Sequence, residues 1–114
     1  MERRVLIVDD EKTLRGSLAR YLEGRGVAVA QAGSLAEARS LLAGRAFDAL
    51  IVDVGLPDGD GLDLLESSGA RRALVISARP ELARYARRGV LHHLPKPLDL
   101  HAVLERLTRI CAAA

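Results

Sequence analysis

The sequence predicts one doubly wound α/β domain: a parallel β-sheet with helices on both faces. Five short apolar runs alternate with five segments of helical periodicity, and most of the runs are continuous rather than alternating, as in strands covered on both sides. A chain of 114 residues is long enough for one real core and too short for two. The right-handed crossover rule leaves such a sheet few topologies.

Val5 to Val8 form the first strand and run into Asp9 and Asp10. Leu14, Leu18, Tyr21 and Leu22 are spaced along one face of a helix that stops around Gly24 to Gly26. Asp10 alone, just ahead of that helix, also reads as its N-cap. Val27 to Ala32 alternate weakly and form the second strand. Ser34 then opens a capping box with Glu37, and Leu35, Ala38, Leu41 and Leu42 carry the second helix to Gly44.

Ala49 to Asp53 form the third strand. Pro57 stiffens the loop that follows, and Gly55, Gly59 and Gly61 loosen it. Leu62, Leu64 and Leu65 mark a short helix ending near Gly69. Ala73 to Ile76 make the fourth strand, closing at Ser77; Pro80 suits the first turn of the next helix, whose apolar face is Leu82, Tyr85 and Ala86. Val90 to Leu94 supply the fifth strand. Leu100, Val103, Leu104, Leu107, Ile110 and Cys111 trace the last helix, started near Pro97 or Asp99. The closing Ala112 to Ala114 read as a frayed helix end or a point where a longer chain was cut.

Composition narrows the function classes. At 49% hydrophobic and 28% charged, the chain reads as an ordinary globular protein, and its three aromatic residues, Tyr21, Phe47 and Tyr85, argue against a stacking platform for nucleic acid. A formal charge of +2 is too balanced to predict nucleic-acid binding. Arg71, Arg72, Arg79, Arg84, Arg87 and Arg88 crowd the third quarter, either as a solvated basic face or as a surface for an acidic partner. The lone Cys111 excludes an intrachain disulfide. The opening "MERRVLIVDD" has too short an apolar run for a signal peptide or membrane span, so a cytoplasmic location is expected.

In a parallel sheet the carboxyl ends of the strands share one rim, where ligands of open α/β sheets bind. Read from the sequence, those ends are Asp9 and Asp10, Asp53, Ser77 and Lys96. Carboxylates about 4 Å apart repel by roughly 4 kcal/mol per pair at an effective dielectric near 20, so they protonate, disperse or share a cation. One or two carboxylates with waters and a phosphoryl oxygen are the usual surroundings of Mg²⁺. Lys96 supplies a point charge for a phosphoryl oxygen and Ser77 a donor. Asp53, at the sharpest strand end in "LIVDVGLPDGDG", is the carboxylate best placed to act as a nucleophile on phosphorus.

These residues closely resemble the receiver domain of bacterial two-component response regulators. The resemblance runs from Arg4 to about Ile110 on "LIVDDE", "DVGLPDGDG", "VISA" and "LPKP", each weak alone and highly specific in this order. It implies a flavodoxin-like (βα)5 fold with strand order 2-1-3-4-5, residues 1–114 forming a single receiver domain. It also implies a signalling switch rather than an enzyme, one that catalyses only its own phosphorylation and dephosphorylation. By position, Asp53 takes a phosphoryl group from a sensor histidine kinase. Asp10, Asp53 and the Gly55 carbonyl bind Mg²⁺ directly, Asp9 through water or by orientation. Ser77 and Lys96 engage the phosphoryl oxygens, and Lys96–Pro97 is a cis peptide.

The sequence also departs from the family pattern. The switch position holds His93, where Tyr or Phe is usual; histidine is smaller and titrates nearer neutrality, which predicts a weaker or pH-sensitive switch. The segments from Asp53 to Ser77 and from Ser77 to Lys96 are short, which predicts stubby third and fourth helices and leaves the family's dimer mode doubtful. The positions that tune phosphoryl lifetime are Gly55, which leaves a path for water, and Arg79, long enough to cover the phosphate. The competing reading is a degenerate receiver acting as a constitutive interaction module. An aspartyl-phosphate hydrolase lacks room for a substrate pocket, and an EF-hand counted from Asp58 puts Leu62 and Asp63 where a ligand and glycine belong.

Overall fold

The computed structural model describes residues 3–112, apart from the side chains of residues 67, 68 and 70. The chain runs β1 (Arg4–Val8), α1 (Lys12–Glu23), β2 (Ala28–Ala32), α2 (Leu35–Gly44) and β3 (Ala49–Asp53). A two-residue antiparallel ladder pairs Gly55–Leu56 with Gly59–Asp60, and a 3₁₀ turn over Gly61–Leu64 leads into α3 (Leu65–Ser68). A second 3₁₀ turn, Ala70–Arg72, precedes β4 (Ala73–Ser77), followed by α4 (Leu82–Arg87), β5 (His93–Pro95) and α5 (Leu100–Ala112). The expectation for the chain's last two alanines, 113 and 114, lies outside the described residues.

The five long-range strands form one parallel sheet in the order β2-β1-β3-β4-β5. The continuous apolar runs have a simple cause: alternate residues of each strand serve opposite cores. Leu6, Val8, Leu50, Val52, Ala73 and Val75 face α2, the 3₁₀ turn, α3 and α4 through Leu35, Ala38, Leu62, Leu64, Leu65 and Tyr85. Val5, Ile7, Ala49, Ile51, Leu74 and Ile76 face α1 and α5 through Leu18, Ala19, Leu22, Val103, Leu107 and Ile110. Each fully buried Leu, Ile or Val contributes about 1.5–3 kcal/mol of transfer free energy, which offsets the aromatic scarcity by number.

The third and fourth helices are short, at four and six residues. The fifth strand corrects the sequence expectation of Val90 to Leu94. Only His93, Leu94 and Pro95 pair with β4. Val90 instead closes the end of α4, donating its N–H to the Tyr85 carbonyl at 2.9 Å, and Leu91 stands 61% exposed. An apolar run at a sheet edge leaves pairing and tethering indistinguishable by composition.

The loop after Asp53 is also corrected. Its glycines do not loosen it; two of them permit close packing. A Cβ on Gly61 would collide with the Asp53 carbonyl oxygen, and one on Gly59, at φ +151°, would lie 2.7 Å from Leu35 Cδ1. Asp58 then reaches back across the fold: its carboxylate accepts from the N–H groups of Leu35 at 2.8 Å and Ala36 at 3.0 Å. The first turn of α2 is therefore held by Ser34, whose hydroxyl accepts from Glu37 N–H at 3.2 Å, and by Asp58 together. These bonds keep the Asp58 carboxyl below the usual carboxylate range.

Candidate functional site

Every strand but β2 delivers a polar residue to the carboxyl rim. Asp9 follows β1, Asp53 ends β3, Ser77 ends β4, and Lys96 follows β5. The rim is fixed by backbone bonds as well: Asp9 N–H donates to the Ala32 carbonyl at 3.0 Å, and Lys96 N–H to the Ser77 carbonyl at 2.8 Å.

Asp9, Asp10 and Asp53 come together as expected, each offering a carboxylate oxygen within 4.8 Å of the others. Asp9 is fully buried, Asp53 8% exposed and Asp10 exposed. Asp10 does not cap α1; Glu11 holds that position, and its N–H donates to Asp9 Oδ1 at 2.9 Å. Asp9 is thereby turned inward while Asp10 is left free at the mouth. Arg15 braces the turn, donating to the Asp9 carbonyl at 2.8 Å and to Gln31 Oε1 at 3.1 Å.

Lys96 lies between two of the acids. Its ammonium donates to Asp53 Oδ2 at 3.1 Å and stands 2.9 Å from Asp9 Oδ2, an ion-pair contact without hydrogen-bond alignment. Glu11, whose carboxylate lies 3.8 Å from the ammonium, is a fourth acid that the sequence reading did not include. Its place in the helix-opening turn gave it only the look of a surface residue. Asp53 Oδ1 faces the N–H of Gly55 at 3.4 Å.

Burial pushes the Asp53 carboxyl above its ordinary value; the Lys96 hydrogen bond pulls it down and the Asp9 charge adds to the rise. Burial also works against the charge on Lys96, but the adjacent Asp9 and Asp53 carboxylates outweigh it and hold the ammonium above its usual value.

The donor set suits a hard divalent cation: three carboxylates, one of them exposed for entry. Magnesium–oxygen bonds of about 2.1 Å span about 4.2 Å across one ion, close to the observed spread of the three oxygens. Among the described residues this is the one cluster of three or more His, Cys, Asp or Glu with that spacing. Gly55 is exposed, and a Cβ on it would meet nothing within 4 Å, so the approach to Asp53 is open there.

Ser77 has a side-chain partner on the neighbouring helix. It ends β4 at the rim, but its hydroxyl bonds the Tyr85 hydroxyl at 2.8 Å, and both groups are buried. Tyr85 had read only as part of an apolar helix face. His93 is half-buried with its ring 5.6 Å from the Tyr85 ring, and its Nδ1 is buried without a hydrogen-bond partner. Arg79 is exposed. Part of the arginine cluster is neutralised within the chain: Arg84 pairs with Asp60 and Glu81, and Arg88 with Asp63 at 2.9 Å.

A five-stranded parallel sheet of this order, with an acid cluster, a hydroxyl and an ammonium on its carboxyl rim, defines a phosphoacceptor signalling switch. The chain belongs to the response regulator receiver domain family, whose model matches residues 5–108. Protein PetR of Rhodobacter capsulatus is 35% identical over 112 residues, covering 93% of this chain and 47% of its own. The non-phosphorylated HemR receiver domain of Leptospira biflexa is 31% identical with a TM-score of 0.85, covering 98% of this chain and 96% of that one. A response regulator of Burkholderia pseudomallei, solved with a phosphorylated aspartic acid, calcium and citrate, is 30% identical with a TM-score of 0.83, covering 96% and 69%. The chain spans about half the length of the curated relatives it matches. Among the described residues, no helix is long and apolar enough to cross a membrane.

Proposed function

We propose that Asp53 is the phosphoacceptor of a two-component switch, taking the phosphoryl group from a phosphohistidine of a sensor histidine kinase. The observation that supports this most is Lys96, held at Asp53 Oδ2 within a group of three converging carboxylates. A deprotonated Asp53 oxygen attacks phosphorus in line, the P–N bond breaks, and the imidazole leaves with the bonding pair.

Asp10, Asp53 and the Gly55 carbonyl would hold a Mg²⁺ ion, with Asp9 acting through water or by orienting the others. When bound, Mg²⁺ neutralises charge on the carboxylates and on the phosphoryl oxygens. Lys96 then shifts its contact from Asp53 to a phosphoryl oxygen, and Ser77 donates to another. His93, on β5 beside Tyr85, carries the change outward from there. Moving a two-state equilibrium from mostly off to mostly on takes about 5.5 kcal/mol of differential interaction, which a phosphoryl dianion bonded to Lys96 and Ser77 can supply.

Residues 1–114 act as one receiver unit, in the cytoplasm, whose only reactions are its own phosphorylation and dephosphorylation. Gly55, which leaves the approach to Asp53 open, sets the lifetime of the phosphorylated state. Incubation with acetyl phosphate and Mg²⁺ tests the reading by intact mass. A gain of one phosphoryl group, lost in Asp53→Asn, is the expected result. No gain, or one that survives Asp53→Asn, removes this reading, and no gain at all leaves a constitutive interaction module.

A further inference from the structure

The Ser77 hydroxyl has one proton to donate and one nearby partner to share it with. That partner is the Tyr85 hydroxyl at 2.8 Å, across a gap of eight positions and from a different element. Ser77 is 8% exposed and Tyr85 3%, so water does not compete for the bond. Meanwhile Asp53 and Lys96, on the neighbouring strand ends, are bonded to each other. Ser77 is thus turned toward α4, not toward the position where a phosphoryl group on Asp53 would sit.

The surroundings of Tyr85 make this bond consequential. Tyr85 is buried in the same core cluster as the β3 and β4 residues Leu50, Val52 and Val75. Its carbonyl accepts from the N–H groups of Arg88 at 3.1 Å and Val90 at 2.9 Å, so its backbone closes α4 and starts the approach to β5. His93 lies against the ring at 5.6 Å, tilted by 58°, with no hydroxyl to offer Ser77. A buried phenol that loses its partner is strongly disfavoured unless it moves or finds another.

We propose that Tyr85 is the positioning residue for Ser77: its hydroxyl holds the Ser77 hydroxyl away from the Asp53–Lys96 pair, and this bond must break before Ser77 reaches a phosphoryl oxygen. The inference rests on Asp53 being the phosphoacceptor. It places the first moving part of the relay on α4, ahead of His93, and makes the Ser77–Tyr85 bond a brake on the phosphorylated conformation.

Beryllofluoride with Mg²⁺, a non-covalent phosphoryl mimic, tests this by calorimetric titration of the whole chain. Releasing a hydrogen bond of about 0.5–1.5 kcal/mol corresponds to roughly 2- to 12-fold tighter binding, which is the effect expected of Tyr85→Phe. In a Ser77→Ala background the same substitution is expected to change nothing, because Tyr85 acts through Ser77. A purely structural role for the ring would move both backgrounds equally. In the unsubstituted protein, the ¹³Cζ resonance of Tyr85 is expected to shift on beryllofluoride binding while that of Tyr21 stays put.

Unaltered or weaker binding by Tyr85→Phe, equal effects in the two backgrounds, or a static Tyr85 resonance overturns the assignment. If the unsubstituted protein binds beryllofluoride and Asp53→Asn does not, such a result removes Tyr85 alone. If the unsubstituted protein fails to bind, or Asp53→Asn binds as well as it does, the phosphoacceptor reading falls with it.

Discussion

Gly61 lies against the backbone of Asp53. A Cβ there would run into the Asp53 carbonyl oxygen, with the carbonyl carbon at 2.9 Å and Val52 Cγ2 at 3.0 Å, while Gly61 N–H donates to the Val54 carbonyl at 2.8 Å. The two nearest obstructing atoms are backbone at the end of a central strand and cannot swing aside. Gly61→Ala is therefore expected to cost about 1–3 kcal/mol, as overpacking does, and to slow phosphorylation by displacing Asp53. Urea midpoints and acetyl phosphate kinetics on the same samples check both effects; an unaltered rate would detach Gly61 from the site.

The raised pKa of Asp53 fixes the sign of a pH dependence. A carboxyl whose folded value lies above its unfolded value of 3.8 binds more protons folded than unfolded in the interval between the two. Its contribution is fully present below 3.8 and is lost as pH rises through the folded value. Asp53→Asn is thus expected to melt at or above the parent Tm at pH 7, with the gap closing in acid. The rate of phosphorylation, which needs the ionised form, is expected to fall on acidification earlier than for an ordinary carboxylate. Adding Mg²⁺ shifts that limb to lower pH.

Asp60 does two jobs that separate by substitution. Its Oδ1 accepts from Leu62 N–H at 2.9 Å, capping the 3₁₀ turn, and its Oδ2 pairs with Arg84 and, at 4.0 Å, with Arg88. Asp60→Asn keeps the cap and loses the charge pairs, for an expected loss of about 0.2–1 kcal/mol that shrinks in high salt. Asp60→Ala loses the cap as well, adding about 1 kcal/mol that salt does not affect. Thermal melts in low and high salt distinguish the two.

Next to Asp53, Gly55 leaves space, whereas Arg79 stands exposed. Gly55→Met is expected to slow the decay of the phosphorylated protein by filling the approach to Asp53. Arg79→Ala is expected to change it by no more than about twofold, the size of an ordinary surface effect of 0.5 kcal/mol. Timed intact-mass measurements after removal of the phosphodonor give both rates.

Strand composition made most of the fold legible. Five apolar runs, four of them leading into polar residues, made the sheet and its rim readable, because strands buried on both faces are written as continuous apolar runs. The acids and Lys96 met as expected for the same reason: strand ends share a rim whatever the loops do. What the chain order hides is pairing across elements. Tyr85 read as apolar because helical spacing reports which side is buried and not what a hydroxyl meets there. Asp58 looked like a turn residue because its partners, Leu35 and Ala36, precede it by 23 and 22 positions. The fifth strand was overdrawn because Val90 and Leu91 have strand composition but no neighbour to pair with.

The loop that carries Asp58 and Asp60 is built to a fixed gauge. From Asp53, eight residues must deliver one carboxylate to the start of α2, another to Arg84 on α4, and a bare glycine back to the starting point. An inserted or deleted residue would release both anchors at once. The acidic side chains that tie this segment to other elements are Asp58, Asp60 and Asp63, all ahead of Leu65. The chain has its economy of length after that point, in the single turn of α3, where shortening disturbs none of them.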